Sequence, residues 1–228
     1  MKKEYLSVVY STDRTPKTAY PLQLATYLMK RFRLDRQGSI LEVGSGRGDF
    51  INAFHAIGMS ASAIDREESA STDRGVQFKK TDLETEPIPF SDNSFDVVYH
   101  KSVLEHFYRP DHIMSESLRV LKPGGKLIFL VPDWESQYKT FYEDVTHCRP
   151  YTVNAIRDLL MMNGMQDSGA EKFYQLPVVW AFPILKAVNR VLRIFIPTLA
   201  ARKLTSLTGI KYFRWSVELM ILGYGTKP

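Results

Sequence analysis

The chain of 228 residues contains one cysteine, Cys148, so no disulfide can form within it, and a disulfide-framed secreted scaffold is excluded. A single thiol fits a reducing compartment, and a cytoplasmic location is the expectation. No stretch of about 20 uncharged apolar residues occurs, so no membrane-spanning helix is expected. The start, Met1-Lys2-Lys3-Glu4-Tyr5-Leu6, leads into no apolar run, so no secretory leader is expected. Internal repeats and low-complexity tracts are also missing. What remains is 44% hydrophobic and 12% aromatic, a composition that builds a core and excludes disorder. The length suits one α/β domain over residues 1–228.

Acidic residues are missing from one long stretch. Lys172, Lys186, Arg190, Arg193, Arg202, Lys203, Lys211 and Arg214 lie between Lys172 and Val217 with no Asp or Glu among them. The net charge of +5 less these eight leaves the rest of the chain at −3. The basic character therefore belongs to one segment.

Apolar segments of two periods alternate along the chain. Residues 1–20 are polar and mixed, with Tyr5, Tyr10 and Tyr20. Pro21 opens a helical pattern through Leu22, Ala25, Leu28, Met29 and Phe32. Strands are expected at Ser39–Val43, Ser60–Ile64, from Phe78, at Phe95–Tyr99 and at Lys126–Val131, with a last strand in Val217–Tyr224. Helices are expected at Asp49–Ile57, Val103–Phe107, His112–Leu121 and Thr152–Met162, and Lys122-Pro123-Gly124-Gly125 reads as a turn. Such alternation predicts a parallel sheet covered by helices on both faces.

Three details concern ligand chemistry. The first strand runs into Gly44-Ser45-Gly46-Arg47-Gly48, where backbone can approach a nucleotide closely. The spacing is G-x-G-x-G, not the G-x-G-x-x-G of dinucleotide sites, and Glu42 stands just before it. A carboxylate there suits a ligand bearing an ammonium and a sulfonium better than one bearing a pyrophosphate. Asp65 ends the second strand, where a carboxylate accepts from both ribose hydroxyls. Asp82-Leu83 follows the third, placed to read an adenine through the carboxylate and a backbone N–H.

These segments, with Phe90-Ser91-Asp92-Asn93-Ser94-Phe95-Asp96 and Leu121-Lys122-Pro123-Gly124-Gly125, resemble the successive motifs of class I S-adenosylmethionine-dependent methyltransferases. The resemblance covers roughly residues 38–165, and its branch includes quinone, sterol and sugar methyltransferases. It implies a Rossmann-like three-layer α/β sandwich with a mostly parallel seven-stranded sheet and an antiparallel last strand. It implies S-adenosyl-L-methionine as cofactor. Glu42, Gly44, Ser45 and Gly46 would hold the methionine part, Asp65 with Arg66 the ribose, and Asp82 and Leu83 the adenine. His100 would lie beside the cofactor.

Methyl transfer needs the acceptor positioned, and an oxygen acceptor benefits from a base. Of the five histidines, His55 and His112 fall in helices of the core. His147 lies in the polar run Glu143–Thr152 after the fifth strand, at the sheet edge where ligands bind in this architecture, and is the expected catalytic residue. Some relatives carry a metal on Glu-x-x-Glu-His. Here Ser102 breaks that pattern before Glu105-His106, adjacent helical residues diverge by about 100°, and no metal is expected.

The expected acceptor is an oxygen of a sugar, glycan or lipid-linked small molecule. An RNA or protein acceptor, or a cofactor-binding scaffold without turnover, are the alternatives. Residues 177–215 form a basic, apolar insertion between the sixth and last strands, expected to overhang the substrate entrance. In Ile184–Ile196, Lys186, Asn189, Arg190 and Arg193 make one polar stripe. This reads either as a lid whose apolar face packs on the domain, or as a helix that docks residues 180–203 on an anionic membrane surface, at the inner face of a membrane. No RNA-binding pattern accompanies the charges, which argues against nucleic acid.

Overall fold

Seven strands pair into one sheet in the order β3-β2-β1-β4-β5-β7-β6. They are β1 (Ser39–Val43), β2 (Ser60–Asp65), β3 (Gln77–Lys80), β4 (Phe95–Lys101), β5 (Leu121–Pro132), β6 (Gln166–Phe173) and β7 (Met220–Thr226). The computed structural model describes residues 16–67 and 72–228, so Tyr5 and Tyr10 lie outside the described residues. Strands β1 to β5 pair in parallel. Only β7 runs against its neighbours, β5 and β6. The mostly parallel Rossmann-like sheet with an antiparallel last strand is thus the observed fold.

The chain moves outward from β1 to β3, then returns to place β4 on the other side of β1. This reversal opens a crevice at the carboxyl ends of β1 and β4, the place where open α/β sheets bind ligands. Helices α1 (Tyr20–Phe32) and α2 (Asp49–Ile57) cover one face, and α3 (Asp111–Val120) the other. Strand alternation divides the core accordingly. Ile40, Val97, Tyr99, Ile128 and Leu130 pack with Leu24, Leu28, Ile51 and Phe54. Leu41, Val43, Val98, Leu127 and Phe129 pack on the opposite face with Met114, Ile156 and Leu160.

Several boundaries differ from expectation. Val103–Phe107 is no α-helix: only Leu104–His106 forms a 3-10 turn, because Phe107 is already extended. Lys122–Gly125 belongs to β5, since Leu121 pairs with Phe95, Gly124 N–H donates to Lys227 O and Gly125 O accepts from Lys227 N–H, while Gly124 keeps a turn-like φ of 74°. The last strand starts at Met220, because Val217 and Glu218 still bond back to Arg214.

After β5 come α4 (Trp134–Gln137), a 3-10 turn (Phe141–Glu143) and α5 (Val153–Met162). Thr152 caps α5, its hydroxyl oxygen accepting from Ala155 N–H at 3.2 Å. Thr152→Ala is expected to cost about 1 kcal/mol, lowering Tm by about 2–4 °C in a domain of this size. Calorimetry checks this, and an unchanged Tm would show that water replaces the cap.

The insertion is wholly helical: α6 (Pro177–Ala181), α7 (Ile184–Phe195), α8 (Thr198–Thr208) and α9 (Tyr212–Trp215). Trp180 fastens its start, stacking on Tyr27 at 4.7 Å and donating to Tyr174 O at 2.7 Å. Buried Glu218 fastens its end by receiving Arg202 and Arg214.

Candidate active site

The turn after β1 is built around close backbone approach. Gly44 takes φ 72°, and a Cβ there would come within 2.6 Å of Val103 Cγ2. Gly44 and Ser45 donate to Ile64 O at 2.9 and 3.1 Å, which binds the turn to β2. Gly46 N–H donates to Asp65 Oδ2 at 2.7 Å, and Glu67 N–H to Oδ1 at 3.0 Å. Asp65 therefore braces the glycine turn while each oxygen retains a further lone pair.

Glu42 is buried beneath this turn. It receives the Ile51 N–H from the first turn of α2, and its Oε2 has no partner. Burial pushes its carboxyl well above the usual range, an effect that nearby Lys101 opposes. Ser45 Oγ is likewise buried and unpartnered. Buried polar atoms of this kind are uncommon unless a ligand completes them.

These groups face a cavity of about 350 Å³ at the switch point. Glu42, Gly44, Ser45, Gly46, Asp65, Arg66, Asp82 and Leu83 all line it, so the structure brings together every expected cofactor residue but one. The exception is His100. Strand alternation turns it into the opposite layer, where it is buried 2.9 Å from Ser117 Oγ and beside Phe129. Burial holds its pKa down at about 3, and it does not line the cavity.

Lys101, Ser102 and Val103 form the wall in its place, and Phe50 and Phe107 supply apolar surface. Lys101 Nζ sits 5.1 Å from the Phe50 ring centroid, and burial lowers its pKa against the pull of Glu105 and Glu42. Ser102 takes φ 56°. That left-handed conformation costs a non-glycine residue roughly 1 kcal/mol or more. It turns the chain sharply at the cavity wall.

The cavity wall also carries His106 and Thr146. Thr146 Oγ1 donates to Asp144 Oδ1 at 2.6 Å and lies 2.9 Å from His106 Nδ1. His147 stands behind His106, with ring centroids 4.9 Å apart. Its Nδ1 lies 2.7 Å from Phe141 O; a carbonyl only accepts, so Nδ1 carries the proton and Nε2 is the basic nitrogen. Burial, and then His147, lowers the pKa of His106.

Glu105 completes this group. It is buried, and burial pushes its pKa up to about 8 against the pull of its own backbone N–H, of Lys101 and of the Ser102 hydroxyl. Ligand atoms of Glu105, His106 and His147 lie within 4.8 Å of one another, close enough to share a divalent cation. Residues 104–106 form a 3-10 turn, in which adjacent side chains diverge by about 120°; the proximity comes from side-chain conformation and from the loop after β5, which brings His147. None of the cavity's lining residues comes from 177–215, so the insertion does not overhang this cavity as expected. It reaches the site indirectly, through Trp215 on Tyr20 at 5.2 Å and Tyr20 on Phe50 at 6.2 Å.

Residues 41–129 match the family model described as a methyltransferase domain. The ubiquinone/menaquinone biosynthesis C-methyltransferase UbiE of Hahella chejuensis is 32% identical over 122 residues, covering 45% of this chain and 48% of that protein. A methyltransferase of Mycobacteroides abscessus is 29% identical over 120 residues, covering 49% of this chain and 46% of that protein. The chain thus spans about half the length of these relatives. Among solved structures, phosphoethanolamine N-methyltransferase 2 of Haemonchus contortus, in complex with S-adenosyl-L-methionine, is similar over 100% of this chain and 60% of that one. Its TM-score is 0.64 at 17% identity. A S-adenosylmethionine-dependent methyltransferase of Mesorhizobium loti covers 88% of this chain and 97% of that one at TM-score 0.58 and 17% identity. The likeness to these structures is one of fold.

Proposed function

We propose that this chain, whose residues 41–129 match a methyltransferase domain, is an S-adenosylmethionine-dependent methyltransferase. One observation carries the reading. A glycine turn that admits no Cβ, a buried half-unpartnered Glu42, and Asp65 at the next strand end share one cavity at the switch point. Glu42 and the Gly44–Gly46 backbone suit the cationic amino-acid end of the cofactor, Asp65 the ribose hydroxyls, and Asp82 with Leu83 the adenine. When bound, the cofactor supplies a methyl group on a sulfonium, already open to in-line attack. The protein then has to align the acceptor and exclude water. His106 and Thr146 line the part of the cavity where an acceptor oxygen would be oriented, and His147, which does not line it, packs behind His106 as the base that would act there.

For the acceptor, the reading is an amphiphilic, lipid-linked small molecule met at an anionic membrane. Helix α7 supports it. Leu185 packs on the buried cluster of Tyr174, Leu176, Val179 and Leu219, but most of the helix's apolar residues face outward: Ile184 is 73% exposed, and Ile194 and Phe195 are 75% exposed. Val188 and Val191 share that outward face. Beside Leu185, buried Asn189 of the polar stripe anchors the helix by accepting from Tyr212 OH at 2.6 Å. A lid would bury the other side. An outward apolar face flanked by Lys186 and Arg190 has the character of an interfacial helix. Among the described residues no helix is long and apolar enough to cross a membrane.

The test has two stages. Calorimetry with S-adenosylhomocysteine should show one binding site. Methyl-labelled cofactor, incubated with cell extract split into lipid, glycan, protein and RNA fractions, should label the lipid fraction. Analysis of the product then distinguishes an oxygen from a carbon acceptor, the latter being the chemistry named for the UbiE relatives. Absence of cofactor binding sinks the enzyme reading. Binding without label in any fraction leaves a scaffold, and label in RNA or protein replaces the lipid acceptor.

A further inference from the structure

A second cavity, of about 420 Å³, lies where α7 and the start of α8 meet the connection after β5. Its walls carry Lys139, Lys172, Arg190 and Arg193 against one carboxylate, Glu135. Lys172 is already neutralised, by Glu135 and by buried Asp133 at 3.6 Å. None of the ion pairs among the described residues uses Lys139, Arg190 or Arg193, although Arg193 is near enough to Glu135 to help lower its pKa after Lys172 has done so. Arg193 lies over the Tyr174 ring at 5.8 Å, and its Nε is buried without a partner. A donor hidden from water and left unsatisfied points to a missing acceptor.

The helix that begins here adds to the same charge. Helix α8 starts at Thr198, which lines the cavity, and no side chain caps it. Its first N–H groups have no intrahelical partner, and the positive end of the helix dipole faces the region of the two arginines. Helix start and guanidinium forks together match the tetrahedral oxygens of a phosphate ester better than a single carboxylate. Arg193 could simply offset the carboxyl end of α7, but that role leaves the buried Nε unexplained.

The rim decides what the phosphate is attached to. Ile194 and Ile196 border the cavity, and Ile194 belongs to the exposed apolar face of α7. We propose that this cavity binds the phosphate headgroup of an anionic phospholipid, whose chains lie along the outward face of α7. The lipid source rests on the membrane reading above; the phosphate chemistry rests on the cavity itself.

The probes are monomeric dihexanoyl phosphatidylglycerol, glycerol phosphate, and vesicles of phosphatidylcholine with and without phosphatidylglycerol, all with the full chain. The monomeric lipid should bind, and Arg190→Gln with Arg193→Gln should weaken it about tenfold or more. The control pair Lys186→Gln with Lys203→Gln removes equal charge outside the cavity. It should change monomeric lipid binding less than about twofold, although it loosens vesicle binding through general attraction. Affinity for S-adenosylhomocysteine, measured on each variant, reports that the fold is intact and separates failure here from failure of the enzyme reading. Equal effects of the two pairs on the monomeric lipid overturn the site even where vesicles bind. Arginine-dependent binding of glycerol phosphate, with wild-type protein left in the supernatant by anionic vesicles, overturns the lipid source.

Discussion

Asp65→Ala is expected to weaken S-adenosylmethionine binding by a hundredfold or more while the domain stays folded. The carboxylate serves both sides of the cavity edge. It would accept the two ribose hydroxyls, and each hydrogen bond to a charged group contributes about 1.5–3 kcal/mol. Two such bonds together correspond to roughly two to four powers of ten in affinity, at 1.4 kcal/mol per tenfold. It also holds Gly46 N–H at 2.7 Å and Glu67 N–H at 3.0 Å, so its loss loosens the glycine turn as well. Asp65→Asn separates the two roles: the amide oxygen can still take one N–H but carries no charge. Calorimetry measures both variants, with circular dichroism as the fold check. Affinity within threefold of wild type for Asp65→Ala would remove this residue from the cofactor site.

His147→Ala is expected to lower turnover by about a hundredfold or more with cofactor affinity near normal, the range a positioned acid or base contributes. The structure shows two ways for that loss to arise. His147 Nε2 is the basic nitrogen, since Nδ1 is committed to Phe141 O. His147 also packs edge-on to His106 at 4.9 Å, so it positions the ring that lines the cavity. His106→Ala therefore belongs in the same experiment. If His147 acts only through His106, the double variant loses no more than His106→Ala alone. Chelator is the further control, because Glu105, His106 and His147 are close enough to share a cation. Turnover of the wild type that survives chelation assigns the loss to proton transfer. Full turnover of His147→Ala on the true acceptor would make the residue structural.

The cofactor half was legible because its signals are local. A strand, a glycine turn and a carboxylate at each strand end follow one another within β1, β2 and β3, and their spacing reads without knowing the sheet order. The face that His100 takes was not legible, because a residue late in a strand can point to either side, and the register of Val43 with His100 settles which. The histidine pair was not legible in the same way. Thr146 meets His106 across forty positions, and nothing in either segment announces the other. The short turn at Leu104–His106 was read as a helix because five apolar and polar residues carry too few periods to separate 3.0 from 3.6. In the insertion, periodicity identified an amphipathic helix at Ile184–Phe195. It could not say which side would pack, since the partners of Asn189 and Leu185, Tyr212 and the cluster with Leu219, lie far along the chain.

The insertion leaves and re-enters the sheet at one place. Phe173, the last residue of β6, pairs directly with Met220, the first of β7, so everything between them hangs from a closed pair of strand ends. A segment with that attachment is an exchangeable cassette. Closing a longer or shorter excursion between fixed ends changes the entropy only slowly with length, by about 0.6 kcal/mol per doubling. The length and sequence of the excursion can therefore change at small entropic cost while the closed strand ends, and the turn at Gly44 on the far side of the sheet order, stay where they are.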